Sequence, residues 1–295
     1  MIDGFTQSLV EVGDVRLSVH RAGRGAPLVL LHGYPQNHRT WANVAPEFAK
    51  HFDVIVPDLR GYGGSDAPTD NPDSTTYSKR NMAADIVGLM DKLSLPKVHI
   101  LGHDRGARVA YRFALDHPER LDRLGIIEIM PTGDFWQAWT AELAMKAYHW
   151  TFLAQPAPLP ERLIGGDPQT YLDWTLRNWT LAKSLDCFPP ESLASYRDQM
   201  RDPARLHAMC ADYRAGAGID RALDDADLAA GRKITAPLAF LWSDGGFPAR
   251  AGNPLAIWQK WATSVSGESC VAGHFVMEEN PAAVLSTFLS HFTRR

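Results

Sequence analysis

The chain has 295 residues, of which 45% are hydrophobic and 22% are charged, and its formal net charge at pH 7 is -4. This length and composition are typical of one large globular domain, or of one domain with a sizeable insertion. The weakly acidic balance gives no reason to expect a nucleic acid or an anionic membrane as a partner. No apolar stretch is long enough to cross a bilayer.

The N-terminus and the cysteines bear on location and on metal binding. The opening residues "MIDGFTQSLV" lack the basic region and apolar run of a secretion signal. The three cysteines, Cys187, Cys210 and Cys270, are widely separated and fit neither a metal-binding spacing nor a disulfide framework. We therefore expect a cytoplasmic protein that uses no metal and no other cofactor.

The first elements that the sequence predicts along the chain are β-strands. The alternating stretch "SLVEVGDVRLSVHRAG" predicts a β-hairpin around Gly13-Asp14. The apolar run "PLVLLHG" is typical of a strand that is buried on both faces, and "FDVIVPDLRG" and "KVHILGHD" repeat its pattern. Residues 77–93, between the last two runs, have helical periodicity with one apolar face. This alternation predicts a parallel sheet wound with helices.

The pattern changes in the second half of the chain. "RLGIIEIMP" predicts another strand, but residues 132–230 are rich in tryptophan, proline and helical periodicity and contain no convincing buried strand. "APLAFLWSD" and "SGESCVAGH" then resume the strand pattern. We therefore expect an α/β core formed by residues 1–131 and 231–295, with residues 132–230 as a helical cap. The cap would cover the carboxyl edge of the strands, where open α/β sheets bind ligands.

The pentapeptide Gly102-His103-Asp104-Arg105-Gly106 has the outline of G-x-S-x-G, a strand-to-helix turn that presents a nucleophilic serine. Here the central residue is Asp104, with a predicted strand before it and a predicted helix after it. A carboxylate is ionised at neutral pH and can attack carbon without the help of a base. The alternative is that Asp104 only caps the helix.

An aspartyl ester formed by such an attack must be hydrolysed, which calls for a histidine that activates water. His274 follows the last predicted strand and is the candidate base. This histidine needs an acid to hold its tautomer, and Glu128 and Asp244 compete for the role. Glu128 is favoured because a carboxylate inside an apolar strand needs a partner, whereas Asp244 in "SDGGF" is equally typical of a turn.

A loop and a pair of arginines complete the candidate site. The backbone N–H groups of Tyr34, in "LLHGYPQ", and of Arg105 could stabilise negative charge on the nucleophile's own carboxyl oxygen. Arg105 and Arg108 are three residues apart at a helix start, so both could face one cleft and bind a carboxylate. The alternatives are a tight turn and a surface charge pair.

These motifs resemble the aspartate-nucleophile branch of the α/β-hydrolases, and the fluoroacetate dehalogenases within it most closely. The matching stretches are "HGYPQ", "VPDLRGYGGSD", "GHDRGARVAYR", "YHWTFLAQPAPLPERLIGGDP", the tyrosine of "ADYRAG", and "AGHF". The resemblance implies an α/β-hydrolase fold, hydrolysis of fluoroacetate to glycolate and fluoride, and a homodimer. One departure is Glu128, where the family carries aspartate. The usual acid position after the following strand holds Gly246.

The resemblance also assigns roles to residues of this chain. It makes Asp104 the nucleophile, His274 the base and Glu128 the acid partner. It makes Arg105 and Arg108 the ligands of the substrate carboxylate, and the halide-binding residues that it implies are His149, Trp150 and Tyr213. Trp179 is a further candidate for the pocket lining. Without the resemblance, these aromatic residues would be interpreted as core packing.

Related activities remain open at this point. Haloalkane dehalogenases carry tryptophan after the nucleophile and asparagine in the HGxP-type loop, where this chain has Arg105 and Tyr34, so an anionic 2-haloacid is favoured over a neutral alkyl halide. Epoxide hydrolases use cap tyrosines, for which Tyr148, Tyr171 and Tyr213 are candidates. A non-catalytic carboxylate receptor is disfavoured, because it would gain nothing from a nucleophile, a base and an acid together.

Overall fold

A computed structural model describes residues 1–250 and 252–294 of the chain. Its centre is a sheet of eight strands in the order β1-β2-β4-β3-β5-β6-β7-β8. The strands are β1 (Thr6–Val12), β2 (Val15–Gly23), β3 (Ala26–Leu31), β4 (Phe52–Pro57), β5 (Val98–His103), β6 (Leu121–Ile127), β7 (Leu238–Ser243) and β8 (Val265–Cys270). Each strand predicted from the sequence is therefore confirmed, within a few residues at its ends.

The pairing of the strands confirms the predicted sheet. β1 and β2 form the hairpin around Gly13-Asp14, and β2 pairs antiparallel with β4. All pairings from β4 to β8 are parallel. The mostly parallel sheet flanked by helices is the α/β-hydrolase architecture that the sequence predicts.

The helices flank the sheet and connect its strands. They are α1 (Ala45–Phe48), α2 (Lys79–Lys92), α3 (Asp104–Asp116), α4 (Thr132–Gln137), α5 (Ala141–Lys146), α6 (Tyr148–Leu153), α7 (Leu159–Gly166), α8 (Pro168–Trp179), α9 (Pro190–Arg201), α10 (Pro203–Ala217), α11 (Ile219–Ala229), α12 (Phe247–Arg250), α13 (Pro254–Trp261), α14 (Val276–Glu279) and α15 (Pro281–Thr293). Short 3-10 helices lie at His38–Trp41 and Pro118–Arg120. Within the described ranges, the helices are all too short or too polar to cross a membrane.

The strands of the sheet centre divide their side chains between two apolar clusters. Val29 and Leu31 of β3 belong to one cluster, and Leu28 and Leu30 belong to the other. This follows from the alternation of side chains across a strand. Because helices cover both faces, the strand is a continuous apolar run rather than an alternating one.

The segment between β6 and β7 forms helices α4 to α11 and the loops between them, all within the described residues. We call these the inserted helices. In sequence they lie between β6 and β7, which are neighbouring parallel strands of the sheet. The division of the chain into a core and a cap at residues 132 and 230 stays a prediction.

Candidate active site

Asp104 lies at the sharp turn between β5 and α3, in a backbone conformation that is unusual for a residue other than glycine. Its φ is +46°, and such conformations cost about 1–3 kcal/mol and cluster at active sites. Two glycines make the turn possible. A Cβ at Gly102 would lie 2.5 Å from Ala107 Cα, and a Cβ at Gly106 would lie 2.2 Å from the His32 carbonyl oxygen. Glycine is therefore required on both sides of Asp104, because a side chain at either position would clash with backbone atoms.

The Asp104 carboxylate is buried and accepts a backbone hydrogen bond. The Tyr34 N–H donates to Asp104 Oδ1 at 3.0 Å. The Arg105 N–H, the second donor predicted from the sequence, makes no hydrogen bond to this carboxylate in the described structure. Burial opposes ionisation, but His274, His103 and the two neighbouring arginines outweigh it and lower the pKa of Asp104. Asp104 is therefore a carboxylate at neutral pH.

His274 lies in the loop between β8 and α14, beside the nucleophile. Its Nε2 is 3.8 Å from Asp104 Oδ2, too far for a direct hydrogen bond. Its backbone N–H donates to the Trp179 carbonyl at 2.8 Å, which ties the loop to the inserted helices. Burial lowers the pKa of His274 to about 3, so the imidazole is neutral at pH 7 and able to accept a proton.

Glu128 follows β6 directly, with a φ of +60°. The structure brings its carboxylate to Ser243 and not to His274. The Ser243 N–H donates to Glu128 Oε2 at 2.6 Å, and Ser243 Oγ donates to Oε1 at 3.0 Å. Throughout residues 1–250 and 252–294, nothing offers His274 Nδ1 a hydrogen bond. Burial raises the pKa of Glu128 to about 8.

Gly246 explains how a glutamate fits where the resembled family has an aspartate. A Cβ at Gly246 would lie only 1.6 Å from Glu128 Oε1. The longer side chain therefore occupies space that any side chain at residue 246 would fill. The competing acid, Asp244, is exposed and lines neither of the two cavities described below.

Arg108 presents a buried guanidinium to the site. Its Nη1 donates to the Met130 carbonyl at 2.9 Å and to Thr132 Oγ1 at 3.0 Å, and its Cζ lies 4.5 Å from the centre of the Trp150 ring. No carboxylate of the described chain forms an ion pair with it. Burial lowers the pKa of Arg108, since the charge lies in a nearly dry environment. A buried cation without an acidic partner is suited to binding an anion.

Arg105 is held differently. Its Nε donates to Asp212 Oδ1 at 3.0 Å and its Nη2 to the Asp212 carbonyl at 2.7 Å. Burial opposes the charge, but Asp212 outweighs this and raises the pKa of Arg105. The guanidinium lies 4.3 Å from the Tyr213 ring centre, and its Nη1 finds no acceptor among the described residues. The two arginines predicted as equivalent therefore differ, because one of them already has an acid.

The aromatic residues predicted for the halide site lie together. His149 packs 4.4 Å from Trp179, and its ring is nearly perpendicular to that of Tyr213 at 5.6 Å. Trp150 lies 5.8 Å from Tyr213, also edge to face. In the part of the chain that the structure describes, neither the Tyr213 hydroxyl nor His149 Nδ1 has a hydrogen-bond partner. Burial lowers the pKa of His149 to about 3, so its ring is neutral.

Two neighbouring cavities lie at these residues. The inner cavity has a volume of about 10 Å³ and is lined by Asp104, Arg108, Glu128, Ile129, Met130, Phe135, His149, Trp150, Trp179, Phe247 and His274. The outer cleft has a volume of about 590 Å³ and shares Trp179, Phe247 and His274 with the inner cavity. Arg105 and Tyr213 border the site without lining the inner cavity.

A separate cluster has metal-binding side chains. Ligand atoms of His20, His38 and Asp58 lie within 4.8 Å of one another. The two imidazole rings are stacked, with their centres 3.7 Å apart and their planes 21° apart. Stacked rings direct their lone pairs side by side and not towards one ion. The cluster lines neither cavity, so the site gives it no role.

Sequence reasoning missed three polar residues next to the site. Asp212 directly precedes Tyr213 in "ADYRAG", and Lys79 opens α2, where both would pass for surface charges. Ser243 ends β7 and carries no motif. The burial of Asp212 and Lys79 could have been inferred only by knowing that α2, α3 and α10 converge.

Known proteins resemble this chain in sequence and in fold. The model of the α/β hydrolase fold matches residues 26–281. A fluoroacetate dehalogenase of Burkholderia sp. is 42% identical over 293 residues, covering 98% of this chain and 95% of the relative. A soluble epoxide hydrolase of Corynebacterium sp. (strain C12) is 35% identical, covering 98% and 97%. The solved structure of an α/β hydrolase from Nostoc sp. PCC 7120 is 43% identical, with a TM-score of 0.96 and complete coverage of both chains.

Proposed function

The chain belongs to the α/β-hydrolase family, and from its site we propose that it hydrolyses haloacetates, fluoroacetate included, to glycolate and halide. The observation that carries the proposal is the pairing of Asp104 with Arg108 in one small buried cavity. A nucleophilic carboxylate faces there a guanidinium that has no acidic partner in the described chain. That arrangement suits a substrate with a carboxylate at one end and an electrophilic carbon at the other.

The first step is an in-line displacement. An oxygen of Asp104 attacks the α-carbon of the haloacetate, the carbon–halogen bond breaks, and the halide leaves with the bonding electron pair. Arg108, with Arg105, holds the substrate carboxylate so that the α-carbon meets the nucleophile. The Tyr213 hydroxyl, the His149 ring and the Trp150 ring receive the halide, whose charge develops in the transition state.

The second step hydrolyses the ester. His274 takes a proton from water, and the resulting hydroxide attacks the carboxyl carbon of Asp104. The Tyr34 N–H, already bonded to Asp104 Oδ1, stabilises the oxyanion, with the Arg105 N–H as second donor. Collapse breaks the ester C–O bond and expels the alkoxide of glycolate, which takes up the proton held by His274. Asp104 is left as the carboxylic acid that carries the second proton of water, and it releases this proton to solvent to become a carboxylate again. Glu128 stabilises the imidazolium that forms on His274.

Glu128 requires a movement in this scheme, because its carboxylate is bonded to Ser243 in the structure. Protonation of His274 creates the positive charge that Glu128 lacks in the resting site. We expect this charge to lower the pKa of Glu128 and to attract its carboxylate towards Nδ1. The acid then acts only in the second step.

Fluoride release from fluoroacetate, followed with an ion-selective electrode, tests the proposal. We expect wild type to release fluoride and Asp104→Asn to release none. Single turnover in ¹⁸O water should place the label in Asp104 and not in the first glycolate formed, because water attacks the enzyme's own carboxyl carbon. Label in glycolate on the first turnover would refute the covalent route.

Epoxide hydrolysis is the second candidate, favoured by one observation. The Tyr213 hydroxyl is an O–H donor with no hydrogen-bond partner in the described ranges, and its ring packs against Arg105, the residue after Asp104. Such a donor could protonate an epoxide oxygen as the aspartate attacks carbon. Turnover of styrene oxide in the absence of any halide release from fluoroacetate or chloroacetate would favour this alternative.

The proposal also includes the domain boundaries, the location, the oligomeric state and the partners of the protein. We place the core at residues 1–131 and 231–295 and the cap at 132–230, and we expect a cytoplasmic homodimer that needs no cofactor. Neither a nucleic acid nor a membrane is expected as a partner. Sedimentation equilibrium of the purified chain would test the dimer, and activity after dialysis against a chelator would test the independence from metal.

A further inference from the structure

The imidazole ring of His274 is not held in place by hydrogen bonds of its own. Neither ring nitrogen has a partner among residues 1–250 and 252–294, and the predicted acid, Glu128, bonds Ser243 instead. A base that activates water must nevertheless lie within reach of it, and a displacement of about 1 Å can cost about 10²-fold in rate. The position of the ring must therefore come from the backbone of its loop, where His103 Nε2 donates to the His274 carbonyl at 2.9 Å.

The three consecutive backbone N–H groups around His274 are all bonded, two of them to one carboxylate. Glu279 Oε2 accepts the Gly273 N–H at 3.0 Å, and Glu279 Oε1 accepts the Phe275 N–H at 3.1 Å. The His274 N–H between them donates to the Trp179 carbonyl at 2.8 Å. Glu279 therefore holds the loop on both sides of the base.

The same carboxylate also bonds the inserted helices. Glu279 Oε2 accepts the Leu181 N–H at 2.6 Å, just after the end of α8. A Cβ at Gly273 would lie 2.4 Å from both the Leu181 nitrogen and the Trp179 carbonyl oxygen, so the loop packs against this segment backbone to backbone. Capping of α14 would account for the bond to Phe275 but not for the bonds to Leu181 and Gly273.

We propose that Glu279 is a positioning residue for the second step, because its carboxylate fixes the loop of His274 against residues 179–181. The imidazole is thereby kept where it can activate water. This inference rests on the proposed function, since it names what places the base of that reaction. Attack by Asp104 on the substrate needs no base, so loss of Glu279 should slow ester hydrolysis and leave the displacement of halide nearly unchanged.

Glu279→Gln is the substitution that tests this role. All three groups that face the carboxylate are N–H donors, so the NH₂ group of an amide would meet a donor and at least one bond would be lost. Glu268→Gln is the matched control, because Glu268 is exposed on β8, the strand before the same loop. Glu268 accepts a hydrogen bond from the Thr287 hydroxyl at 2.7 Å, which an amide oxygen can also accept.

Rapid-quench kinetics with chloroacetate separate the two steps. For Glu279→Gln we expect the rate constant of the halide burst to stay within about 3-fold of wild type and that of ester hydrolysis to fall at least about 30-fold. The Asp104 ester should then accumulate, as the mass of its peptide would show. Glu268→Gln should change neither rate constant by more than about 2-fold. Ester hydrolysis within about 3-fold of wild type in Glu279→Gln, or equal losses in both steps, would overturn the inference.

A second background distinguishes positioning of the base from a general effect on the folded site. In His274→Gln the residual ester hydrolysis no longer uses the imidazole, so adding Glu279→Gln should change it less than about 2-fold. A further loss of about 10-fold or more would overturn the inference, because Glu279 would then act on something other than His274.

A conservative variant keeps the test decisive if Glu279→Gln does not fold. Glu279→Asp keeps the carboxylate but withdraws it by one methylene from the Leu181 and Gly273 N–H groups. We expect a loss of about 5-fold in ester hydrolysis, with the halide burst unchanged. Unchanged ester hydrolysis in Glu279→Asp would then overturn the inference.

Hydrogen exchange separates this inference from the proposed function, because it needs no substrate. Amides in peptides that cover residues 179–182 and 272–276 should exchange at least about 10-fold faster in Glu279→Gln than in wild type, and Glu268→Gln should match wild type. If wild type releases halide from no haloacetate, the proposed function fails, and the exchange rates still decide whether Glu279 holds the loop. Unchanged exchange in both peptides would overturn the role of Glu279 even if haloacetates are hydrolysed.

Discussion

The two sides of the candidate site are built in different ways. On the sheet side, Asp104 and Glu128 follow strand ends in left-handed backbone conformations, and their carboxylates accept hydrogen bonds from Tyr34 and Ser243. On the side of the inserted helices, His149 and Tyr213 are held by ring contacts. Within the described residues, polar atoms of both lack partners.

This difference corresponds to two tasks of the proposed reaction, which are bond making and the binding of the charge that develops on the leaving group. In the proposed reaction, the groups fixed by the backbone carry out bond making, which depends on geometry. Donors with no internal partner remain available for a ligand, whose charge develops only during the reaction. Substitutions on the sheet side should therefore stop a chemical step, whereas substitutions on the helix side should change the preference among halogens.

The largest effect should come from His274 on the sheet side. With His274→Gln, Asp104 can still displace halide, but no base activates water for the ester. We expect one equivalent of halide per site in a rapid burst, followed by turnover at least about 10³-fold below wild type. Rapid-quench measurement of halide and the mass of the Asp104 peptide would show the burst and the ester.

His51→Gln is the matched control, because His51 is exposed and lines neither cavity. This control should turn over as wild type does. If His274→Gln formed no adduct and released no halide, the two-step scheme would be wrong.

The next effect should come from Tyr213 on the helix side. Tyr213→Phe keeps the ring that packs on Arg105 but removes the hydroxyl without a partner in the described structure. We expect kcat for fluoroacetate to fall about 10²-fold and kcat for bromoacetate to fall much less, because fluoride concentrates charge on a small atom. The ratio of the two rates is the measurement.

Tyr148→Phe serves as the control for this ratio, since Tyr148 lines the outer cleft and not the inner cavity. Its ratio should stay within about 2-fold of wild type. Equal losses for both substrates in Tyr213→Phe would mean that the hydroxyl does not bind the halide.

The same contrast shows what the sequence can and cannot predict. Asp104 and its flanking glycines were identifiable, because the turn imposes a local steric pattern on consecutive residues. The different roles of Arg105 and Arg108 were not identifiable, because spacing along a helix predicts a shared face but not a partner on another helix. Asp212 lies 107 positions from Arg105 in sequence and contacts it only after α3 and α10 pack together.

Glu128 illustrates a further limit. The apolar strand around it predicts that its carboxylate needs a partner, and the structure supplies one. The predicted partner was His274, whereas the hydrogen bonds of the structure come from Ser243. Which of two nearby groups a carboxylate bonds depends on distances of about 1 Å, which no pattern of residue types encodes.

A smaller effect should arise at Gly246, because the position of the Glu128 carboxylate depends on the absence of a side chain there. Gly246→Ala would bring a Cβ against Glu128 Oε1 and displace the carboxylate. We expect turnover to fall about 10-fold through slower ester hydrolysis. Combining Gly246→Ala with Glu128→Asp shortens the acid and should recover most of the activity, as steady-state kinetics would show.

Gly245→Ala is the control, because a Cβ there would meet no atom closer than 3.9 Å. Its turnover should match that of wild type. A loss in Gly246→Ala that Glu128→Asp does not relieve would contradict the steric coupling of residues 128 and 246.

The smallest effect concerns stability, where the buried histidines should respond to pH. Burial lowers the pKa of His149 to about 3 from an ordinary value of 6.5. Below pH 6.5 the imidazole of His149 is therefore protonated in the unfolded chain but stays neutral in the folded chain. The free energy of unfolding must therefore decrease as pH falls from 6.5 towards 3. His149→Phe should lessen the decrease between pH 7.0 and 5.5 by about 1 kcal/mol, measured by urea unfolding. A His51→Gln control should retain the wild-type decrease, and an identical decrease in His149→Phe would mean that the ring of His149 is protonated inside the folded site.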